Sequence, residues 1–225
     1  MLDSIVDLIF PPRCIGCRTR GAWICASCKD NTARVPASIC HKCGAPTPNL
    51  QTCSSCWKTN PKFDAVRAKY FFEGVVRQAI HLFKYRGARY LLATLSSLLL
   101  ESVEPQFLES DAVVPVPLHR DRLKERSYNQ SQLLATEVSK TLGIILADNY
   151  LIRTRSTEPQ MQLPAERRTA NVRGAFSCVD RSLDGKNVLL VDDVFTTGAT
   201  LNECAIALKK AGVAGVWAVC IARAR

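Results

Sequence analysis

The sequence predicts an α/β protein: a mainly parallel sheet flanked by helices, preceded by a small cysteine-rich module. Three observations carry that expectation. Eight of the eleven cysteines fall before residue 57, as four pairs spaced by two residues. Beyond residue 60, short apolar runs alternate with longer helical stretches, the pattern of strands joined by covering helices. One of those runs, residues 188–191, ends in two adjacent carboxylates and a loop of small residues. These observations divide the chain into a module over residues 1–60 and an α/β domain over residues 61–225.

The cysteine pairs are Cys14/Cys17, Cys25/Cys28, Cys40/Cys43 and Cys53/Cys56. A two-residue spacer lets both thiolates point inward from one tight turn, which makes half of a tetrahedral site. Short links between turns favour sequential pairing, with Cys14, Cys17, Cys25 and Cys28 in one site and Cys40, Cys43, Cys53 and Cys56 in the other. Pairing the first turn with the third, a cross-braced arrangement, is the alternative. Four such turns in series read as zinc rather than disulfides, and iron–sulfur ligation is the minority reading. A Cys₄ site leaves no open position, so the zinc is expected to be structural and to supply much of the module's folding energy. His41, beside Cys40, reads as a solvated neighbour. Cys178, Cys204 and Cys220 have no CxxC partner and read as buried thiols.

Each later element follows from its own pattern. Leu2, Ile5, Val6, Ile9 and Phe10 share a helical face that ends at Pro11-Pro12, and Asp3 and Asp7 argue against a secretory signal. Residues 66–72 read as a strand, followed at Gly74 by a helical stretch containing Val75, Val76, Ala79, Ile80 and Phe83. Gly87 interrupts it, and a second helical stretch covers residues 88–103. Residues 112–117 form a short buried strand ended by prolines. Residues 131–142 are helical and closed by Gly143. Residues 188–191 form a strand, 199–211 a helix with Gly212 beyond it, and 213–221 a last strand.

Lys plus Arg number 30 against 20 Asp plus Glu, a net charge of +10. That balance favours anionic partners such as phosphates or nucleic acid. No apolar run approaches the roughly 20 residues of a membrane span, so no membrane insertion and a cytoplasmic location are expected.

The most informative stretch is VLLVDDVFTTGAT, residues 188–200. Its apolar residues bury a strand whose carboxyl end carries Asp192 and Asp193, where open α/β sheets bind ligands. The loop then enters a helix, and the exposed N–H groups and positive helix end attract an anion. Thr196, Thr197 and Thr200 add hydroxyls, and Gly198 permits close backbone approach. Carboxylates beside a phosphate cradle suit sugar hydroxyls or a Mg²⁺ ion. A nucleotide triphosphatase loop would need a lysine that is missing here. Simple helix capping would give no reason for two adjacent acids.

These residues resemble the phosphoribosyl pyrophosphate (PRPP) motif of type I phosphoribosyltransferases. The chain as a whole resembles the ComF/GntX family of competence-associated phosphoribosyltransferase-like proteins. That likeness rests on the CxxC series, on Leu82-Phe83-Lys84-Tyr85-Arg86-Gly87, on Val114-Pro115-Val116-Pro117 and on Arg126-Ser127-Tyr128-Asn129-Gln130. It extends to Arg153, Arg155, Thr157, Gln160, Arg168 and Asn171.

The resemblance implies a type I phosphoribosyltransferase-like fold with a double zinc ribbon. It implies that Asp192 and Asp193 hold the ribose hydroxyls, directly or through Mg²⁺, and that Thr196, Thr197, Gly198, Ala199 and Thr200 wrap the 5′-phosphate, with Val194 in the same binding stretch. His119, Arg120, Arg126 and Asn129 would meet the pyrophosphate. Lys84 and Arg86 would add charge, and Arg153 and Arg155 would sit on a closing loop. Asp192, Asp193, Lys84, Arg126 and Arg153 form the implied catalytic set. Ser127 stands where the family commonly has glycine, and His81 reads as a packing residue.

The implied cofactors are two structural zinc ions and Mg²⁺ with PRPP. The implied partners are PRPP, single-stranded DNA and proteins of the DNA uptake machinery. The function expected is a Mg²⁺-dependent phosphoribosyltransferase linked to natural competence. The alternative is a non-catalytic single-stranded nucleic-acid-binding or adaptor protein on the same fold. Aromatics beside positive charge at Trp57-Lys58, Lys69-Tyr70, Lys84-Tyr85-Arg86 and Arg89-Tyr90 fit that alternative.

Overall fold

A computed structural model describes residues 11–48, 51–156 and 165–225. The helix expected within the first ten residues lies outside the described residues, as do Thr157, Gln160 and the side chain of Arg168. The strands are β1 (Ala65–Phe71), β2 (Ala112–Pro115), β3 (Ile145–Leu146), β4 (Leu151–Arg153), β5 (Phe176–Cys178), β6 (Asn187–Val191), β7 (Val194–Phe195) and β8 (Gly215–Arg223). The main sheet runs β1-β8-β6-β2-β3 with every pairing parallel, and β7 extends the ladder along β8. A separate antiparallel pair joins β4 to β5.

The central strands are apolar along most of their length because both of their faces are covered. Successive residues alternate between the faces. Val188 and Leu190 pack with Val114, Val216, Ala218 and Cys220 in one cluster. Leu189 and Val191 pack with Val113, Val219 and Ile221 in the other. The first face is covered by α8 (Ala199–Lys210) and the second by α3 (Gly74–Tyr85), α4 (Leu92–Leu100) and α6 (Gln130–Leu142). Helix α3 turns Val75, Val76, Ala79, Ile80 and Phe83 inward. Helix α6 is capped at one end by Asn129, whose Oδ1 accepts the Ser131 N–H, and at the other by Gly143 at φ +70°.

The remaining helices are α1 (Ala26–Asp30), α2 (Ser54–Thr59), α5 (Arg120–Arg126) and α7 (Ala165–Val172). Helix α5 escaped sequence reading because its RDRLKER has one apolar residue and thus no period. The stretch expected as one helix over residues 88–103 is a 3₁₀ turn at Arg89–Leu91 followed by α4. It ends at a turn where the Ser102 hydroxyl ties to the sheet, donating to the Cys220 carbonyl at 3.0 Å and accepting from the Lys69 N–H at 2.8 Å.

The two cysteine ribbons dock on opposite faces of this sheet. In the first, Ile24 is buried against the α3 face, the Trp23 ring lies 4.1 Å from that of Tyr90, and Lys29 pairs with Glu101 at 2.6 Å. In the second, Cys40, Cys43 and Cys56 join the α8 face with Phe63 and Phe195. No helix among the described residues is long and apolar enough to cross a membrane.

Candidate functional site

The sulfur atoms of Cys14, Cys17, Cys25 and Cys28 lie within 4.8 Å of one another, as do those of Cys40, Cys43, Cys53 and Cys56. The pairing is therefore sequential and not cross-braced. Four sulfurs around a tetrahedral zinc sit about 3.8 Å apart, and Cys17–Cys25 and Cys43–Cys53 approach to 3.5 and 3.6 Å. Burial works against ionisation of Cys14, but the N–H groups of Cys17, Cys25 and Gly16 outweigh it and bring the thiol down to about 6. Cys40 is buried too, yet the N–H groups of Cys43, Cys53 and Lys42 bring it down to about 7. Cys28 is pushed up through its bond to Cys14, and Cys56 by burial and then Cys43. Four sulfurs converging at this spacing make a tetrahedral ligand set, and both clusters fit zinc.

The second site lies at the carboxyl ends of β2 and β6, in a cavity of about 160 Å³. Its floor is the acidic pair. Asp193 is almost fully buried and pairs through Oδ2 with Lys84 Nζ at 2.7 Å. The Ser131 hydroxyl donates to Asp192 Oδ1 at 2.9 Å, and the Asp193 N–H reaches the same oxygen at 2.9 Å. Burial and then the neighbouring Asp193 charge push Asp192 up to about 7, although Lys84, the N–H and Ser131 pull the other way. Burial acts on Lys84 to lower its pKa, but Asp193 and Asp192 outweigh it and hold the ammonium charged. An acid pair with one counter-cation, Asp193 buried and Asp192 half-buried, is short of positive charge, and it suits an added cation or the hydroxyls of a sugar.

The loop beside it is shaped by Gly198, which caps α8 at φ +79°. A Cβ there would lie 2.8 Å from the Phe195 ring, so no other residue fits without displacement. The first turn of α8 carries no acid, which leaves its positive end to face an anion. Thr196, Gly198, Thr200 and Val194 line the cavity, whereas Thr197 and Ala199 line a neighbouring cleft.

Helix α5 supplies positive charge. Arg122 and Arg126, four residues apart, share its face toward the cavity. Arg120 lies off that face and is exposed. His119 caps the helix, its Nδ1 accepting the Asp121 N–H at 3.4 Å. Ser127 ends it at φ +63°, a left-handed conformation that explains why glycine suits this position. Asn129 is buried, and its Nδ2 donates to the Val116 carbonyl at 3.1 Å, so it shapes the loop from behind.

Arg153 reaches the cavity from β4, and burial followed by the Arg122 charge lowers its pKa. Arg155 donates to the Asn171 and Arg173 carbonyls at 3.1 and 2.8 Å. Arg86 is exposed and outside the cavity lining. His81 lies between the Phe72 and Tyr85 rings, and His41 is exposed. Sequence reading missed Arg122 and Ser131. The four-residue spacing from Arg126 would have pointed to Arg122 had α5 been recognised, but nothing local marked Ser131.

Family models match the chain twice: a double zinc ribbon domain over residues 5–57 and a phosphoribosyl transferase domain over residues 127–225. The fold and site therefore define a type I phosphoribosyltransferase-like protein carrying a double zinc ribbon. The chain is 32% identical over 224 residues to a Haemophilus influenzae protein named competence protein F, covering 94% of this chain and 97% of the other. It is 31% identical over 226 residues to DNA utilization protein YhgH of Escherichia coli K12, covering 96% and 99%. It is 27% identical over 198 residues to competence protein ComFC of Bacillus subtilis, covering 85% and 80%. The chain belongs to the ComF/GntX family.

Proposed function

We propose that this chain binds PRPP with Mg²⁺ and transfers its phosphoribosyl group to an acceptor, within the handling of DNA taken up by the cell. The observation that carries this reading is the acid pair of half-buried Asp192 and buried Asp193, held by Ser131 and Lys84 beside the Gly198 loop. The loop and the α8 end receive the 5′-phosphate, and the two acids grip the ribose diol. Asp192 and Asp193 are also the groups that would hold Mg²⁺, which when bound offsets charge on the departing pyrophosphate. Lys84, Arg122, Arg126 and Arg153 surround that position and stabilise the leaving charge, with no covalent nucleophile required.

The link to DNA uptake is supported by what the relatives are named for, competence and DNA utilization. A cytoplasmic location agrees with two thiolate clusters that need a reducing compartment. Incubation with PRPP, Mg²⁺ and a panel of bases and nucleosides is expected to release pyrophosphate in a manner abolished by Asp192→Asn and Asp193→Asn. No release above the variants across the panel would defeat the catalytic part.

A second reading rests on the exposed Trp57 and on Tyr85, which lies at the cavity with the Arg126 guanidinium 4.9 Å from its ring. These suit base stacking, and the chain then acts as a nucleic-acid-binding or adaptor protein. Single-stranded DNA binding that weakens steeply with salt supports it, and salt-insensitive or absent binding removes it.

A further inference from the structure

The second ribbon touches the phosphate loop through a continuous set of contacts. Arg223, at the end of β8, is buried, and its Nη1 donates to the Cys43 carbonyl at 2.7 Å. The same guanidinium lies 5.3 Å from the centre of the Phe195 ring. That ring is the surface against which Gly198 rests, and it meets Phe63 edge-on with centroids 6.3 Å apart. A second link runs outside the first: the Lys62 N–H donates to Asn202 Oδ1 at 2.8 Å, and the Asn202 N–H to the Gly198 carbonyl at 2.8 Å. Between ribbon and loop is a shared cleft of about 300 Å³, lined by Cys43, Cys53 and Cys56 on one side and Thr197, Gly198 and Ala199 on the other.

The Cys43 carbonyl is aimed by the cysteine turn itself. Gly44 adopts φ +67°, and a Cβ there would lie 2.9 Å from the Val66 carbonyl, so the turn packs against β1 where only glycine fits without displacement. Backbone bonds close this turn, the Gly44 N–H to the Cys40 carbonyl at 3.0 Å and the Cys40 N–H to the Ala45 carbonyl at 2.7 Å, and a metal would add the tie from Cys40 and Cys43 to Cys53 and Cys56. A buried guanidinium without its acceptor is costly, so a displacement of the Cys43 carbonyl is passed to Arg223 and through it to the Phe195 ring. The first ribbon shares none of this, because Trp23, Ile24 and Lys29 dock on the opposite face of the sheet.

We infer that Arg223 is a positioning residue that couples the second zinc site to the phosphate loop, so that zinc there and a sugar phosphate in the loop each strengthen the binding of the other. The first zinc site takes no part. This inference rests on the reading that the loop holds a 5′-phosphate. Linkage requires the effect to be reciprocal, so it is measurable from the metal side without any turnover.

The test follows zinc release from the full chain to 4-(2-pyridylazo)resorcinol, with and without saturating ribose 5-phosphate. Cys17→Ser and Cys56→Ser assign the two release phases to their sites. Ribose 5-phosphate is expected to slow the second-site phase by about fivefold or more and leave the first-site phase unchanged. Arg223→Met should abolish that protection, and Arg223→Lys should restore part of it. Equal slowing of both phases, no slowing, or full protection in Arg223→Met overturns the inference. The wild-type comparison of the two sites decides the matter even where Arg223→Met does not fold. Calorimetry with the same probe separates the failures: binding without protection defeats the coupling alone, and no binding defeats the coupling together with the loop reading.

Discussion

The two ribbons have the same ligands and the same spacing, yet they do different work in the fold. The first ends in contacts with helices and a carboxylate, Trp23 on Tyr90 and Lys29 on Glu101. The second ends in contacts that lead to the loop at Gly198, through Arg223 and Phe63. The lesson is that two sites with the same ligand set differ only in where their turns dock, and the proposed role of the second follows from its place beside the Gly198 loop.

The sharpest way to break this comparison is to remove one ligand from each site. Cys56→Ser and Cys17→Ser should each lower zinc content from two ions to one. The Cys56→Ser chain should also bind PRPP about tenfold or more weakly, whereas Cys17→Ser should bind within about twofold of wild type despite a lower melting temperature. Calorimetry on both variants, beside metal analysis, checks the difference. Equal losses of PRPP affinity would erase the distinction between the ribbons.

A glycine pair sharpens it further. Gly198→Ala combines a left-handed φ with a 2.8 Å clash against Phe195. It should cost about 1–3 kcal/mol of stability and weaken ribose 5-phosphate binding. Gly21→Ala in the first ribbon shares the positive φ, but its Cβ would meet nothing within 4 Å. It should cost about 1 kcal/mol and leave binding unchanged. Thermal melts and titrations of the two variants test this.

The smallest effect concerns pH at the first ribbon's seam. Burial raises Glu101, but Lys29 and the Tyr70 hydroxyl outweigh it and hold the carboxyl below its ordinary 4.5. A carboxylate depressed by folding stabilises the native state above its unfolded pKa, and the gain is lost as pH falls through the folded value. The loss thus begins near pH 4.5 and deepens below it. The pair is partly exposed, so screening limits it to about 1 kcal/mol or less. The stability difference between wild type and Glu101→Gln should shrink from pH 6 toward pH 4, and a difference that grows with acid contradicts the assignment.

Much of this was legible in the residues themselves. The CxxC spacing announced sequential Cys₄ sites because the ligands of each are close in the chain. The stretch at residues 188–200 announced strand, acids and loop because all three are consecutive. What stayed hidden was set by distance or by direction. Lys84 meets Asp193 only because α3 and β6 converge at one end of the sheet. Arg122 rather than Arg120 faces the cavity because consecutive helical positions rotate by about 100°. Ser131 and Arg223 carry no local signature at all, since the first bonds to Asp192 and the second to the Cys43 carbonyl, both distant in the chain.

The most direct test is a calorimetric titration of the zinc-loaded chain with PRPP and Mg²⁺, run in parallel on Asp193→Asn. Asp193→Asn removes one of the two carboxylates proposed to hold the ribose diol or Mg²⁺ and takes from Lys84 its ion-pair partner. Saturable binding at one site per chain that falls a hundredfold or more, about 2.7 kcal/mol, in the variant is the predicted result. Equal affinity in the two proteins, or no binding to the wild type at millimolar PRPP, would contradict the site.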